Sequence, residues 1–310
     1  MTSDATAATA RRGRPGARTV LLVLSLLWFA WTLWAAQSNI TGAADALGAI
    51  IKATDALPVV LSAGMLAGAA SGSAALGWFT VRDRWRWPLA IGAGALIGAL
   101  AATLILIGYG HRTSIVVLAV SVFAAAVLGG ALGAIRPAGI AVAGIAGTLA
   151  VFFVGIVLHS LQSPLDRLFG AHGTADSQVT AGTRVALTTS LLGGLAAGLI
   201  AFWYLRRAGT GRRFLPYLAA GALPGVLLLL SELVTRVGGM QLFALIRNLS
   251  PGDRTFVDYW DNSRLDHALV VLFVGAIVAL ICFGRTLTPA PRPTARPAAS
   301  PTKKAKAKIR

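Results

Sequence analysis

Apolar residues in this 310-residue chain gather into long runs, and polar residues into the segments between them. A helix needs roughly 20 apolar residues to cross a hydrocarbon core of about 30 Å. Eight runs satisfy that: Thr19–Ala36, Pro58–Thr80, Pro88–Ile107, Ser114–Ile135, Pro137–Ser160, Val185–Leu205, Phe214–Val234 and Leu265–Phe283. The pattern predicts an all-α integral membrane protein, a bundle of about eight transmembrane helices spanning residues 19–284.

The polar segments divide by character. Residues 1–18 are Ala/Thr-rich and basic and are expected to be disordered. Segment 37–57 is too polar to cross, but Leu47, Ile50, Ile51 and Leu57 recur at helical spacing. That spacing predicts a short interfacial helix, with Pro58 opening the next span at its first position. Segments 161–184 and 237–264 form two further connections. From Leu287 onward, Pro289, Pro291, Pro293, Pro297 and Pro301 break any helix, and Lys303, Lys304, Lys306 and Lys308 follow. Residues 285–310 therefore read as a disordered basic tail.

Charge fixes an orientation. Odd-numbered connections, counted from the amino terminus, hold Arg11 to Arg18, Arg82 to Arg86, Arg136, Arg206 to Arg213 and everything from Arg285 to Arg310. Together they carry 20 of the 28 Lys and Arg residues, against two acids, Asp4 and Asp83. The even-numbered connections carry eight basic and nine acidic residues. Cytoplasmic enrichment of Lys and Arg is the orientation signal, so both termini are predicted inside (N-in/C-in). Segments 37–57, 161–184 and 237–264 are then outer loops.

With 56% hydrophobic and 13% charged residues and a mean hydropathy of +0.72, a soluble class is excluded. The net charge of +17 is accounted for by orientation and by attraction of the basic face to anionic lipid headgroups, not by nucleic acid. The first span has no small-residue cleavage site, because Leu33 and Trp34 precede Ala35 and Ala36, so it reads as an uncleaved helix. Abundant Ala and Gly, and Arg in place of Lys outside the tail, match high-GC bacterial composition. The expected location is the bacterial plasma membrane.

Small residues recur four apart at Gly64, Gly68 and Gly72, at Gly94 and Gly98, at Gly129 and Gly133, and at Gly194 and Gly198. In lipid, close backbone approach supplies what the hydrophobic effect does not. These faces either seal the chain's own bundle or join it to a second copy. Three basic turns each lead into a proline that starts the next span, at Pro88, Pro137 and Pro216. The pattern is consistent with three tandem helical hairpins, although proline at helix starts and arginine at inner boundaries would also produce it.

Candidate chemistry is sparse. Spans one to six contain no Asp, Glu, Lys or Arg. Hydroxyls such as Thr103, Ser121, Thr148 and the run Thr188, Thr189, Ser190 are expected to bond back to their own helix. Coupled transport generally needs ionisable groups or broken helices at the midplane. Glu232 and Arg236, four apart in span seven, can pair on one helical face near its outer end. His111, His159, His172 and His267 all fall at outer ends. If spans five, seven and eight are neighbours, His159, Glu232, Arg236, Asp266 and His267 could form an outer polar cluster, sensitive to pH or able to bind a divalent metal. Phe256, Asp258, Tyr259 and Trp260 form a mixed aromatic and acidic segment suited either to docking a partner or to the lipid interface.

The lone Cys282 excludes an internal disulfide, and no sequence motif specifies a cofactor, a bound metal or a hydrolase. The expectation is a non-enzymatic accessory, assembly or scaffold component of the cell envelope, recognising a protein partner through its outer loops. The competing expectation is a permease or lipid-handling transporter with a path between hairpins.

Overall fold

A computed structural model describes residues 15–42, 46–79, 81–109, 113–170, 175–209, 213–247 and 251–286. The basic leader before Pro15 and the Pro/Lys-rich tail beyond residue 286 lie outside the described residues, as do His111 and His172. Regular structure among the described residues is helical throughout. It comprises α1 (Pro15–Thr41), α2 (Ala46–Trp78), α3 (Arg86–Tyr109), α4 (Thr113–Gly133), α5 (Ala138–Ser160), α6 (Gln162–Leu168), α7 (Ala175–Arg207), α8 (Phe214–Arg247) and α9 (Pro251–Gly284), with a 3₁₀ turn at Asp83–Trp85. Every one except the short α6 is long and apolar enough to cross a membrane.

Several helices outrun the apolar segments that predict them. The expected interfacial helix and span two are one helix, α2, with Pro58 inside it. α7 starts at Ala175, ten residues before Val185. α8 continues to Arg247, and α9 starts at Pro251, so most of segment 237–264 is helical. Hydropathy measures the hydrocarbon thickness, whereas a helix continues as long as its backbone bonds do. Proline within α2 removes one such bond, a loss that polar surroundings at a span's edge tolerate better than the hydrocarbon interior.

The bundle is built in two halves of four spans. In the first, α2 is central and packs against α1, α3 and α4. α2 and α4 run parallel through small residues: Gly68 faces Ala126, Gly72 faces Gly130, and Gly133 faces Ala69. α3 crosses α4 antiparallel, with Gly94 against Ala126 and Gly130, and Gly98 against Phe123. A Cβ on Gly72 would lie 2.7 Å from the Gly130 carbonyl oxygen, so these backbones touch only because side chains are missing.

The second half repeats that arrangement with α5, α7, α8 and α9. α5 packs on α7 as α1 packs on α2. α7 and α9 run parallel: Ser190 meets His267, Gly194 meets Val271 and Gly198 meets Gly275. α8 crosses α9 antiparallel, with Gly221 against Gly275 and Gly225 against Leu272. A Cβ on Gly198 would lie 2.6 Å from the Gly275 carbonyl oxygen.

The internal repetition is thus by four spans, not by two. Three tandem hairpins are not what forms, because α4 and α5 scarcely touch; the Arg136–Pro137 turn instead carries the chain from one half into the other. The halves join where α8 packs on α2 and α4. Leu227 of α8 and Ile145 of α5 enter the same buried cluster as Leu61, Met65 and Val122.

The basic turns collect at one end of the bundle. Arg136 forms an ion pair with Asp83. The Arg18 side chain lies across Gly77, and Arg18 is within electrostatic range of both Arg86 and Tyr204. Trp78, Trp85, Trp87 and Trp203 are more than half exposed at this same end, where interfacial tryptophans belong. Arg207 stacks on Trp203 with 4.0 Å between the guanidinium carbon and the ring centroid.

Candidate functional site

Two polar arrangements stand out near the opposite end. The first is Glu232, 4% exposed on α8. Its Oε1 accepts a hydrogen bond from Arg236 Nε at 3.2 Å, one turn on. The arginine is 41% exposed, so the carboxylate is shielded and the cation reaches the surface. Neighbouring Ser231 and Thr235 are buried, but Ser231 Oγ donates to the Leu228 carbonyl and Thr235 Oγ1 to the Ser231 carbonyl. Their hydroxyls serve the helix itself.

The second arrangement joins α7 to α9. Ser190 Oγ donates to the Ala186 carbonyl at 2.7 Å and lies 2.7 Å from His267 Nδ1. The Ser190 hydroxyl has a single proton to share between the Ala186 carbonyl and His267 Nδ1, so the direction of the Ser190–His267 bond follows the imidazole tautomer. The chain of bonds ties two parallel helices together at a level where neither offers a glycine.

The five outer residues do not converge. Glu232 and Arg236 meet; His267 pairs with Ser190 instead of a carboxylate. His159 and Asp266 are exposed. α5 and α9, which would have to be neighbours, share no contact among the described residues. Proximity to the same boundary put these residues at similar depth, and depth says nothing about which helices adjoin. No group of three or more His, Cys, Asp or Glu able to hold a metal occurs among the described residues. Phe256, Asp258, Tyr259 and Trp260 fall within α9 rather than in a loop, and their side chains lie outside the described residues.

Most hydroxyls in the spans are satisfied within their own helix, although Ser25 Oγ and Trp28 Nε1 on α1 are buried without a partner among the described residues. Thr103 donates to Ala99, Ser121 to Val117, Thr148 to Gly144, Thr188 to Arg184 and Thr189 to Val185, each to a carbonyl four residues back. Gly64 packs on Phe29 of α1, and the other glycines with four-residue spacing face neighbouring helices of the same chain. Those faces are occupied within one bundle.

A feature that periodicity does not predict is a groove of about 740 Å³ between α1, α5 and α7. Leu21, Leu24 and Leu27 form one wall, Ala146 and Ala150 another, and Ile200 its floor on α7. Trp28 stacks on Phe152 across it, with ring centroids 5.4 Å apart. No periodicity reveals this groove, because it depends on α1 meeting α5 from the other half.

The fold and its apolar surface define a multi-pass, all-helical membrane protein. The chain matches no known protein family, no curated protein and no solved structure.

Proposed function

We propose that this protein is a non-enzymatic scaffold or accessory component of a bacterial plasma membrane, with both termini cytoplasmic, recognising an envelope partner through its outer segments. The observation that carries the reading is the closed interior. Most described hydroxyls in the spans bond to their own helices, the buried Ser25 Oγ on α1 being an exception, glycines bring backbones into contact, and the Glu232–Arg236 pair sits at the outer end of α8. A permease needs polar groups along a path, and the described spans supply a packed bundle instead. The segment from Pro251 to Trp260 prolongs α9 beyond the apolar span and places Phe256, Tyr259 and Trp260 at i, i+3 and i+4, the spacing of a helical docking face.

Photo-crosslinking amino acids at positions 256, 259 and 260 in the full chain test this directly in intact membranes. The expected result is one recurrent protein adduct at those positions, absent when the probe stands at lipid-facing Ile277. Crosslinks to lipid alone at all four positions would remove the docking reading. The groove between α1, α5 and α7 favours a second reading, a lipid-handling protein; it predicts lipid transfer between vesicles by the reconstituted chain.

A further inference from the structure

One helical turn before the groove between α1, α5 and α7, α1 carries Arg18. Leu21, the first groove residue of α1, lies three residues from Arg18, about one helical turn. Ile200 on α7 lies one turn from Tyr204 in the same direction. Arg18 and Tyr204 are within electrostatic range of one another at the basic end of the bundle, with the Arg18 side chain lying across Gly77 of α2. Arg86 lies within range of Arg18, and also of Arg136 and the Asp83 carboxylate. Asp83, the sole described carboxylate among the basic turns, is engaged by Arg136, and Arg18 forms no ion pair among the described residues. A volume of about 740 Å³ falls inside the usual range for ligand sites, roughly 300–1,000 Å³.

We infer that the groove is a specific site for one anionic phospholipid, its phosphate held by Arg18 and the Tyr204 hydroxyl and one acyl chain laid between α1 and α5. The two parts of the site match the two parts of that molecule. The apolar wall, free of charged groups, solvates a chain, and the cation at its end pairs with a phosphodiester. Guanidinium suits this role because its fork of donors fits phosphate oxygens. A zwitterionic lipid would lay the same chain in the groove but bring a compensating cation to Arg18 and Arg86. Bound there, the lipid fills the seam where α1 of one half meets α5 of the other. The inference holds whether or not the outer segments dock a partner.

The test is native mass spectrometry of the full chain in detergent, titrated with dioleoyl phosphatidylglycerol or dioleoyl phosphatidylcholine. Wild type is expected to retain one phosphatidylglycerol with about fivefold tighter apparent affinity than phosphatidylcholine, the discrimination of one interfacial arginine. Arg18→Gln should bind both lipids equally. Leu24→Trp, a change at a groove residue that is 47% exposed, should weaken both, and Ala150→Phe should do the same from the opposite wall. Size-exclusion profiles matching wild type separate these effects from misfolding. Equal binding of the two lipids by wild type, or an undiminished preference in Arg18→Gln, overturns the headgroup assignment. Wild-type affinity in folded Leu24→Trp and Ala150→Phe overturns the groove.

Discussion

At the residue scale, burial makes the Glu232–Arg236 pair asymmetric. Arg236→Gln leaves a carboxylate that is 4% exposed without its partner on α8, whereas Glu232→Gln leaves an arginine that already reaches the surface. The first substitution is expected to destabilise more, by about 1–3 kcal/mol, because an unsatisfied buried acceptor carries its full desolvation cost. Thermal unfolding of both variants in the same detergent measures the order. At His267, Ser190→Ala removes the hydroxyl bonded to Nδ1 and breaks the tie between α7 and α9. Interhelical hydrogen bonds in membranes contribute about 0.6 kcal/mol on average, up to about 1.7. Ser190→Ala and His267→Leu should therefore each cost about 1 kcal/mol and the double variant little more, read by a double-mutant cycle. The helical pairing of Glu232 with Arg236 was legible in the sequence, as was the back-bonding of the span hydroxyls, since both are local. The Ser190–His267 bond was not, because 77 residues separate its partners.

At the scale of elements, the glycines sort by what faces them. Gly130 lies against the Ala90 carbonyl and Gly94, and Gly275 against the Gly221 carbonyl. Gly92 and Gly155 have nothing within 4 Å of an added Cβ. Gly130→Val and Gly275→Val should each separate three helices and abolish monodisperse protein, overpacking that costs more than about 1–3 kcal/mol. Gly92→Ala and Gly155→Ala should behave as wild type or slightly better, since alanine also favours helix. Size-exclusion chromatography after detergent extraction distinguishes the two groups. Eight helices and their approximate centres follow from hydropathy, but their ends do not. The α2 extension was legible as a helix from Leu47, Ile50, Ile51 and Leu57 but not its continuity with span two, whereas the start of α7 is polar and has no hydropathic signature against a polar loop.

For the molecule as a whole, the two four-span halves both enter and leave at the basic end, so corresponding helices run in the same direction. The partition of arginines anticipates which turns share that end, and the ion pair of Arg136 with Asp83 and the position of Arg18 across Gly77 bring those turns together. What the sequence conceals is adjacency. Outer ends of α5 and α9 are equally deep yet not in contact, which is why His159 stands apart from Asp266 and His267. Likewise α1 and α5, far apart in the chain, line one groove together with Ile200 of α7.

The proposed bundle, closed inside, with cytoplasmic termini and its polar groups toward the outer end, is tested by substituted-cysteine accessibility. In a Cys282→Ser background, single cysteines at Gln162, Asp266, Ala208, Thr148 and Leu227 are exposed in intact cells to a membrane-impermeant thiol reagent. Gln162 and Asp266 are exposed and should label; Ala208, beside the basic turn, should label only after the membrane is opened. Thr148 and Leu227, at most 2% exposed in the packed interior, should stay unlabelled in both conditions. Labelling of Ala208 in intact cells would invert the orientation, and labelling of Thr148 or Leu227 would reveal a water-filled path and contradict the scaffold reading.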